Sequence, residues 1–291
     1  MSSISGPSVA GRKILITGAA RGIGAALARR LAAHGAEVAL LGLEPELLAE
    51  VAAECGDAPW RYCDVADRAQ VDRVVAALVG ELGGLDVLVA NAGIAKQMAM
   101  VGGDPSVLEE TLAVNVLGVA YAVHAAGPHV AHASGYVLMM SSISTAVHLP
   151  LAGAYSASAA AVEALAATLR YELRHTGAKV GVSFFAEIDT EMTSRGFGTA
   201  AARSGLDGTS LTGVSPIGPA VAALHRAIAR RRKTVVSPWW VALVLPVRPV
   251  AQMLVQRLLG ARVARAVEIA RTEDAPFTTP QPARPRRMER R

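Results

Sequence analysis

Hydrophobic residues in the first 237 positions form short, uninterrupted runs that are separated by longer mixed segments. The runs span residues 13–17, 37–41, 86–90, 135–140, 179–185 and 233–237. Continuous apolar strands of this length are typical of a parallel sheet that is covered on both faces. Segments of helical length lie between and beside them, over residues 22–34, 45–54, 67–82, 105–127, 154–175 and 217–231. The alternation predicts a doubly wound α/β sheet in a single domain.

The pattern changes after residue 237. Apolar residues then mix with spaced arginines and prolines, and the last twenty residues are rich in Pro and Arg. We expect four parts: a flexible N-terminus over 1–10, the α/β domain over 11–237, an amphipathic extension over 238–270, and a disordered basic tail over 271–291. Pro246, Arg248 and Pro249 interrupt the apolar run of the extension, which argues against a membrane-spanning helix.

Composition and charge narrow the function classes. The chain has 291 residues, of which 52% are hydrophobic and 18% charged, so it can bury a large core. Residues 1–225 carry 14 Lys and Arg against 20 Asp and Glu, whereas residues 226–291 carry 15 against 4. The basic end could meet anionic lipid or an acidic partner, or be solvated. Aromatic residues make up only 4%, so we expect no nucleic-acid partner.

The cysteines, histidines and N-terminus indicate a cytoplasmic protein without a metal site. Cys55 and Cys63 show neither metal-ligand nor redox spacing, and the seven histidines are scattered. We see no cleavable signal sequence. We therefore expect a cytoplasmic protein, with peripheral membrane contact through the extension as one option.

A glycine-rich turn separates the first strand from the first helix. Gly18, Gly22 and Gly24 follow a G-x-x-x-G-x-G spacing. Glycines let the backbone approach a pyrophosphate, and the N-terminus of a helix offers unpaired N–H groups to it. The position predicts a dinucleotide site, although a tight turn without a ligand has the same composition.

Six motifs, in order along residues 11–237, resemble those of the short-chain dehydrogenase/reductase family. They are residues 17–24 in the phosphate turn, Asp64-Val65, Asn91-Ala92-Gly93, Asn115, Ser141-Ser142 and Tyr155. The resemblance implies a Rossmann-like fold that binds NAD(H) or NADP(H). It also implies a homo-oligomer formed through the helices over 105–127 and 154–175.

The resemblance also implies roles for individual residues. Ser142 would hydrogen-bond the substrate oxygen, Tyr155 would transfer a proton, and Asn115 would support a water relay. The implied cofactor contacts are Gly18, Arg21, Gly22, Ile23, Gly24, Asp64, Val65, Asn91, Ala92, Gly93, Tyr155, Ile188 and Thr190. Simpler alternatives stay open, because Asp64 could cap a turn and residues 91–93 could form only a tight bend.

The choice between the two dinucleotides depends on the end of the second strand. A carboxylate there selects NAD through the ribose hydroxyls, whereas an arginine favours the 2′-phosphate of NADP. Gly42 and Leu43 occupy that place, Glu44 is the nearest acid and Arg21 is the nearest base. Both charges could instead be solvated. We favour NAD slightly.

The active-site lysine of the family is replaced by Ala159, four residues after Tyr155. Residues i and i+4 share a helix face, so the lysine would anchor the ribose and lower the tyrosine pKa. A charge at about 5 Å in an effective dielectric of about 20 is worth roughly 3 kcal/mol, or about two pKa units. Alanine at position 159 provides neither the ribose contact nor the lowering of the tyrosine pKa. Neutral tyrosine still donates a proton, so any remaining activity should favour reduction.

Three explanations of Ala159 compete. It could be an introduced, inactivating substitution, which we favour because the other site residues are intact. It could be natural, in a dinucleotide-binding protein without turnover or in a lyase or isomerase. A cation from elsewhere, such as Lys96 or Arg195, could also replace the lysine.

The region after the sixth strand departs from the family a second time. Phe185-Ala186 replaces the common Pro-Gly, while Ile188 and Thr190 fit. We expect Glu187 and Asp189 to be exposed loop acids. Residues 191–216 are rich in Gly, Ser and Ala, which predicts a mobile lid. The apolar extension could cover the substrate mouth, lie on a membrane surface, or form a dimer or core contact. With the lid, either of the first two roles indicates a bulky, apolar ketone or secondary alcohol as substrate.

Overall fold

The computed structural model describes residues 7–196, 199–201, 204, 213–259, 263–273 and 276–282. Within these residues, seven parallel strands form one sheet in the order β3-β2-β1-β4-β5-β6-β7. The strands are β1 Lys13–Thr17, β2 Glu37–Gly42, β3 Trp60–Tyr62, β4 Val87–Ala90, β5 Tyr136–Ser142, β6 Lys179–Phe185 and β7 Thr234–Ser237. The predicted single-domain, doubly wound α/β fold is confirmed.

Helices cover both faces of the sheet. They are α1 Gly22–Ala32, α2 Pro45–Glu54, α3 Arg68–Leu82, α4 Ser106–Leu112, α5 Val119–Val130, α6 Gly153–Glu172, α7 Glu191–Gly196, α8 Ile217–Arg230, α9 Val241–Val244, α10 Arg248–Leu259 and α11 Val263–Thr272. A π-helical segment, Ala113–Gly118, joins α4 to α5. Local signals set several ends: Asp67 accepts a hydrogen bond from Gln70 N at the start of α3, and Gly83 ends it with φ +66°.

Alternate residues of each central strand enter two different cores. In β1, Ile14 and Ile16 pack with α1 and α8, whereas Leu15 packs with α3 and α5 on the other face. Burial on both faces requires an uninterrupted apolar run, which is the reason that the sequence pattern predicts a parallel sheet. The short edge strand β3 produces no such run, because Arg61 and Tyr62 are exposed.

The two termini are more ordered than the sequence indicates. Residues 1–6 lie outside the described part, but Val9 is buried. Near the other end, the chain is helical to Thr272 and residues 276–282 pack against the domain, although both lie in the tail expected to be disordered. The apolar side chain of Phe277 packs beside Met98 and Ala154, which accounts for this order. Residues 283–291 lie outside the described part.

Two helices of the described part are long and apolar enough to cross a membrane. Ser106–Val130 is a core helix with 39% of its apolar window buried, whereas Val241–Leu259 has 6% buried. The prolines of the second segment do not interrupt it, since a 3₁₀ turn over Leu245–Val247 carries the helix from α9 into α10. Length and composition alone are weak evidence for a membrane span, because core helices of soluble proteins share them.

Candidate active site

A cavity of about 770 Å³ lies over the carboxyl ends of the central strands. In an open parallel sheet, ligands bind where the strand order reverses, and here that point lies between β1 and β4. The cavity has a volume typical of small-molecule sites. Most predicted site residues line it: Gly18, Arg21, Gly22, Ile23, Glu44, Val65, Asn91, Ala92, Gly93, Asn115, Ser142, Tyr155, Ala159, Ile188 and Thr190.

Close backbone packing explains the glycines of the turn. Gly18 has φ +64°, and a Cβ there would lie 2.7 Å from Ala92 Cα. A Cβ on Gly24 would overlap the carbonyl oxygen of Gly18. Gly24 therefore lies beneath the turn and does not line the cavity, so a direct cofactor contact from it is not supported.

Hydrogen bonds hold the turn against the loop that follows β4. Thr17 Oγ1 accepts from the backbone N–H groups of Asn91 and Ala92, both at 2.9 Å. The Asn91 side chain donates to the carbonyl oxygens of Thr17 and Gly18. Helix α1 then begins at Gly22 without a side-chain cap. A closely packed turn and an uncapped helix N-terminus facing one cavity fit the pyrophosphate of a dinucleotide.

Arg21 links three parts of the cavity rim. Its guanidinium lies 2.6 Å from a Glu44 carboxylate oxygen after β2 and 2.5 Å from a Glu191 oxygen in α7. Arg195 contacts the same Glu191 carboxylate at 3.1 Å. Arg21 and Glu44 are therefore paired with each other at the rim, rather than solvated separately.

Ser142 and Tyr155 come together in the cavity, as the sequence predicts. Ser142 is the last residue of β5, and Tyr155 lies in the first turn of α6. The Ser142 hydroxyl donates to Ser144 Oγ at 3.2 Å and lies close enough to Tyr155 to act on its phenol. Burial raises the pKa of Tyr155, and the interaction with the Ser142 side chain offsets part of that rise. The phenol is therefore in its neutral, proton-donating form at neutral pH.

Asn115 connects three elements beside the tyrosine. Its side-chain oxygen accepts from Ile94 N at 2.8 Å, and its amide donates to Ile94 O and to Ser158 Oγ. Ser158 in turn donates to the Tyr155 carbonyl oxygen at 2.8 Å. The π-helical turn that carries Asn115 is a geometry often found at functional sites. Asn115 thus joins the loop after β4 to the first turn of α6.

Ala159 lies on the cavity wall and is 5% exposed. Its carbonyl oxygen accepts from Ser141 Oγ at 3.0 Å, which ties α6 to β5. Lys96 also lines the cavity, with its Nζ 5.3 Å from the centre of the Phe277 ring. Arg195 is bonded to Glu191 instead. Replacement of the missing lysine by either cation stays a prediction.

The structure gives Asp64 a turn contact and buries part of Glu187. The Asp64 carboxylate accepts from Ala66 N at 3.0 Å and does not line the cavity, which matches the turn-capping alternative. Glu187, expected to be an exposed loop acid, is half-buried and lines the cavity. Asp189 is exposed, as expected. Ile188, the residue after Glu187, is buried.

Two further cavity walls are formed by residues that the sequence did not name individually as site residues. One is formed by apolar residues of the extension and lid, namely Met192, Trp240, Val244, Ala251, Leu254, Val255 and Leu258. Their helical spacing in the extension was a readable signal. The other is formed by Thr278, Thr279 and Gln281, for which the Pro- and Arg-rich composition gave no signal.

Two other polar residues close to the site, His148 and Cys63, are in structural rather than reactive environments. His148 hydrogen-bonds Ser144 O through Nδ1 and does not line the cavity. The Cys63 thiol does line it, but burial raises its pKa to about 12, which makes it a poor nucleophile at neutral pH. The searched, described residues contain no cluster of three potential metal ligands.

Comparison with known proteins gives one family. The family model described as short chain dehydrogenase matches residues 12–200. An uncharacterized oxidoreductase of Mycobacterium tuberculosis is 32% identical over 79% of this chain and 89% of its own length. A hydroxysteroid 11-beta-dehydrogenase 1-like protein of Gallus gallus is 30% identical over 80% of both chains.

Solved structures agree on the fold. A short chain dehydrogenase/reductase from Burkholderia phymatum, in complex with NAD, has a TM-score of 0.73 and 23% identity, over 82% of this chain and 93% of that one. A dehydrogenase/reductase from Sinorhizobium meliloti has a TM-score of 0.70 and 26% identity, over 79% and 95%.

Proposed function

The chain belongs to the short-chain dehydrogenase/reductase family and is an oxidoreductase of that family; we propose that it interconverts a ketone and a secondary alcohol with NAD(H) or NADP(H). The placement of the Ser142 and Tyr155 side chains together, inside a cavity that also contains the phosphate turn, carries this proposal. Both hydroxyls face the space in which a carbonyl carbon would meet a nicotinamide.

Each polar residue of the site has a separate role in reduction. Ser142 hydrogen-bonds the carbonyl oxygen, and Tyr155 donates its phenolic proton to that oxygen as negative charge develops. The nicotinamide supplies the hydride when it is bound. Asn115 and Ser158 hold the first turn of α6, so that the phenol keeps its position beside Ser142. Oxidation of the alcohol needs the opposite proton transfer, to a phenolate.

Ala159 impairs this site in one direction more than in the other. Burial keeps the Tyr155 pKa high, and no lysine stands on the neighbouring helical turn to lower it. Reduction uses the neutral phenol that is present, whereas oxidation needs a phenolate that is scarce at neutral pH. We therefore propose an enzyme whose remaining activity favours ketone reduction, with Ala159 as an inactivating replacement.

A panel of ketones of increasing size tests the proposal. Consumption of reduced nicotinamide is followed by absorbance, while binding of the dinucleotide is measured separately by fluorescence. Turnover by the chain or by its Ala159→Lys variant supports the oxidoreductase. Dinucleotide binding without turnover by either protein contradicts it and favours a non-catalytic dinucleotide-binding protein, the alternative that Ala159 itself suggests. A lyase or isomerase on this fold would convert substrate without changing the absorbance.

We propose NAD as the preferred dinucleotide. Glu44 occupies the rim after β2 and already pairs with Arg21, so a 2′-phosphate would meet a carboxylate and would have to displace it. Substituting Glu44→Gln should improve NADP affinity relative to NAD by about tenfold, since roughly 1.4 kcal/mol of repulsion is removed. The exposed Glu46, which does not line the cavity, provides the matched control Glu46→Gln. An equal ratio of NADP affinity to NAD affinity in the two variants would contradict this preference.

The apolar wall of the cavity supports a bulky, apolar substrate. Trp240, Val244 and Leu254 come from the extension, and Met192 comes from the lid. Apolar side chains of this size favour a substrate with a large hydrocarbon surface. Of the predicted lid, residues 197–198, 202–203 and 205–212 lie outside the described part.

We also propose that this cytoplasmic protein touches membrane surfaces through its extension. Four exposed apolar side chains that do not line the cavity recur every three or four residues along it: Trp239, Leu243, Val247 and Val250. They form a stripe on the side opposite the buried Val241 and Leu259. The net positive charge of residues 226–291 suits an anionic lipid surface.

Homo-oligomerisation is proposed through the helices Ser106–Val130 and α6. Each exposes large hydrophobic side chains, with Leu117 at 45% on the first and Leu165 at 37% on the second. Tyr171 is 79% exposed on the same helix α6. Apolar residues left on the surface in this way suit a helix-to-helix contact between copies.

A further inference from the structure

Residues 276–282, here named the C-terminal strap, are bonded to the loop after β4 and to helix α7. Thr278 N donates to Ala95 O at 3.1 Å, and Thr278 Oγ1 accepts from Ala95 N at 3.0 Å. The Arg195 guanidinium donates to Thr278 O at 3.2 Å. Thr278 is only 2% exposed, so these bonds are shielded from water.

The positions of these partners define the path of the C-terminal strap. Ala95 follows β4, and Arg195 lies in α7, which follows β6. Thr278 therefore connects the chain after β4 with the helix after β6, and β5 is the strand between these two. Ser142 is the last residue of β5 and lines the cavity together with Tyr155. Thr278, Thr279 and Gln281 of the C-terminal strap line the same cavity.

An apolar anchor fixes the C-terminal strap at its start. Phe277 packs with Met98 and Ala154, and the second of these is the residue before Tyr155. Lys96 Nζ lies over the Phe277 ring at 5.3 Å. A buried aromatic contact of this kind holds a segment that has no helix or strand of its own.

We propose that the C-terminal strap is the wall that limits how large a substrate can reach Ser142 and Tyr155, with Thr278 as its positioning residue. This inference rests on the proposed function. The cavity keeps its volume of about 770 Å³ with the strap in place, so the segment bounds the site rather than filling it. Thr279 and Gln281 place polar groups on a wall that faces the apolar extension.

Two truncations distinguish the contribution of the C-terminal strap from that of residues 283–291. One ends the chain after residue 275 and removes the strap, and the matched control ends it after residue 282 and keeps the strap. Affinities for cyclohexanone and for the larger 2-decalone are measured with NADH bound. Removing the strap should raise the ratio of 2-decalone to cyclohexanone affinity by about tenfold, whereas the control should match the full chain. Equal ratios in both truncations, or no ketone binding to any of them while NADH binds, would overturn the inference.

Hydrogen exchange tests the position of the C-terminal strap without a substrate. The Ala95 amide should exchange at least tenfold faster after the strap is removed, and at the original rate in the control. Substituting Thr278→Val should reproduce the faster exchange and part of the affinity change, whereas Thr278→Ser, which keeps the oxygen, should restore both. Unchanged exchange at Ala95 in the strap-less chain means that the segment does not lie there. Failure of NADH to bind the full chain would instead refute the proposed function.

Discussion

Replacing Ala159 with lysine is the most direct test of the chemistry assigned to Tyr155. Ala159 follows Tyr155 by one helical turn and lines the same cavity, so a lysine side chain can extend into existing space. The variant Ala159→Lys adds a positive charge to a site where burial alone raises the pKa of the phenol. The charge should therefore pull that pKa down.

The size of the effect follows from Coulomb's law. A charge about 5 Å from the phenol oxygen, in an effective dielectric of about 20, contributes roughly 3 kcal/mol, or about two pKa units. Burial of the lysine itself removes part of this, because a desolvated ammonium group loses charge more readily. We expect the Tyr155 pKa to fall by about one to two units. Oxidation, which needs the phenolate, should gain more from this fall than reduction does.

The assay is the pH–rate profile of alcohol oxidation in the original chain, in Ala159→Lys and in Ala159→Met. Methionine has a length similar to that of lysine and no charge, so it separates filling of the cavity from electrostatics. The midpoint should move down by about one to two pH units only in the lysine variant, with at least a tenfold gain in rate at neutral pH. Equal profiles for lysine and methionine would refute the electrostatic argument. Unchanged turnover in both would show that Ala159 is not what limits the site. An oxidation midpoint below neutrality in the original chain would contradict the assigned role of a neutral Tyr155.

Three further predictions test the turn, the core and the extension. Gly24→Ala should weaken dinucleotide binding at least tenfold, because its Cβ would overlap a carbonyl of the turn, whereas Gly80→Ala, with open space around it, should leave fluorescence titrations unchanged. Burial raises the pKa of Tyr136, so the stability that its neutral phenol contributes is present below pH 10 and is lost as the pH rises above that value. In denaturant titrations, Tyr136→Phe should therefore show a smaller loss of stability at high pH. The same variant should cost about 1 kcal/mol at neutral pH, because the hydrogen bond from the phenol to the Arg232 carbonyl oxygen is removed. Replacing exposed Leu243 and Val250 together by glutamine should reduce co-flotation with anionic vesicles several-fold without changing dinucleotide affinity, and equal flotation would argue against membrane contact.

Local physical rules determined much of the fold and part of the site. Apolar runs marked the strands that are buried on both faces, since alternate side chains such as Ile14 and Leu15 must enter opposite cores. The glycine turn was readable because its backbone needs conformations and close contacts that a side chain would block, as at Gly18. The order of the motifs then indicated that Ser142 and Tyr155 meet. The absence of the family lysine at position 159 indicated that Tyr155 would form a phenolate less readily.

Only the tertiary structure decided which side chains reach the cavity. The edge strand β3 lacked an apolar run because exposed strands do not need one, and Asp64 turned to a backbone amide rather than to the cavity. Glu187 moved from an expected surface loop into the wall, and Thr278 came from a segment whose composition indicated disorder. These outcomes depend on contacts between residues distant along the chain, such as Thr278 with Ala95, which no local pattern encodes. The sequence by itself therefore determined the sheet and the meeting of Ser142 and Tyr155 in one cavity, while long-range packing decided the walls around them.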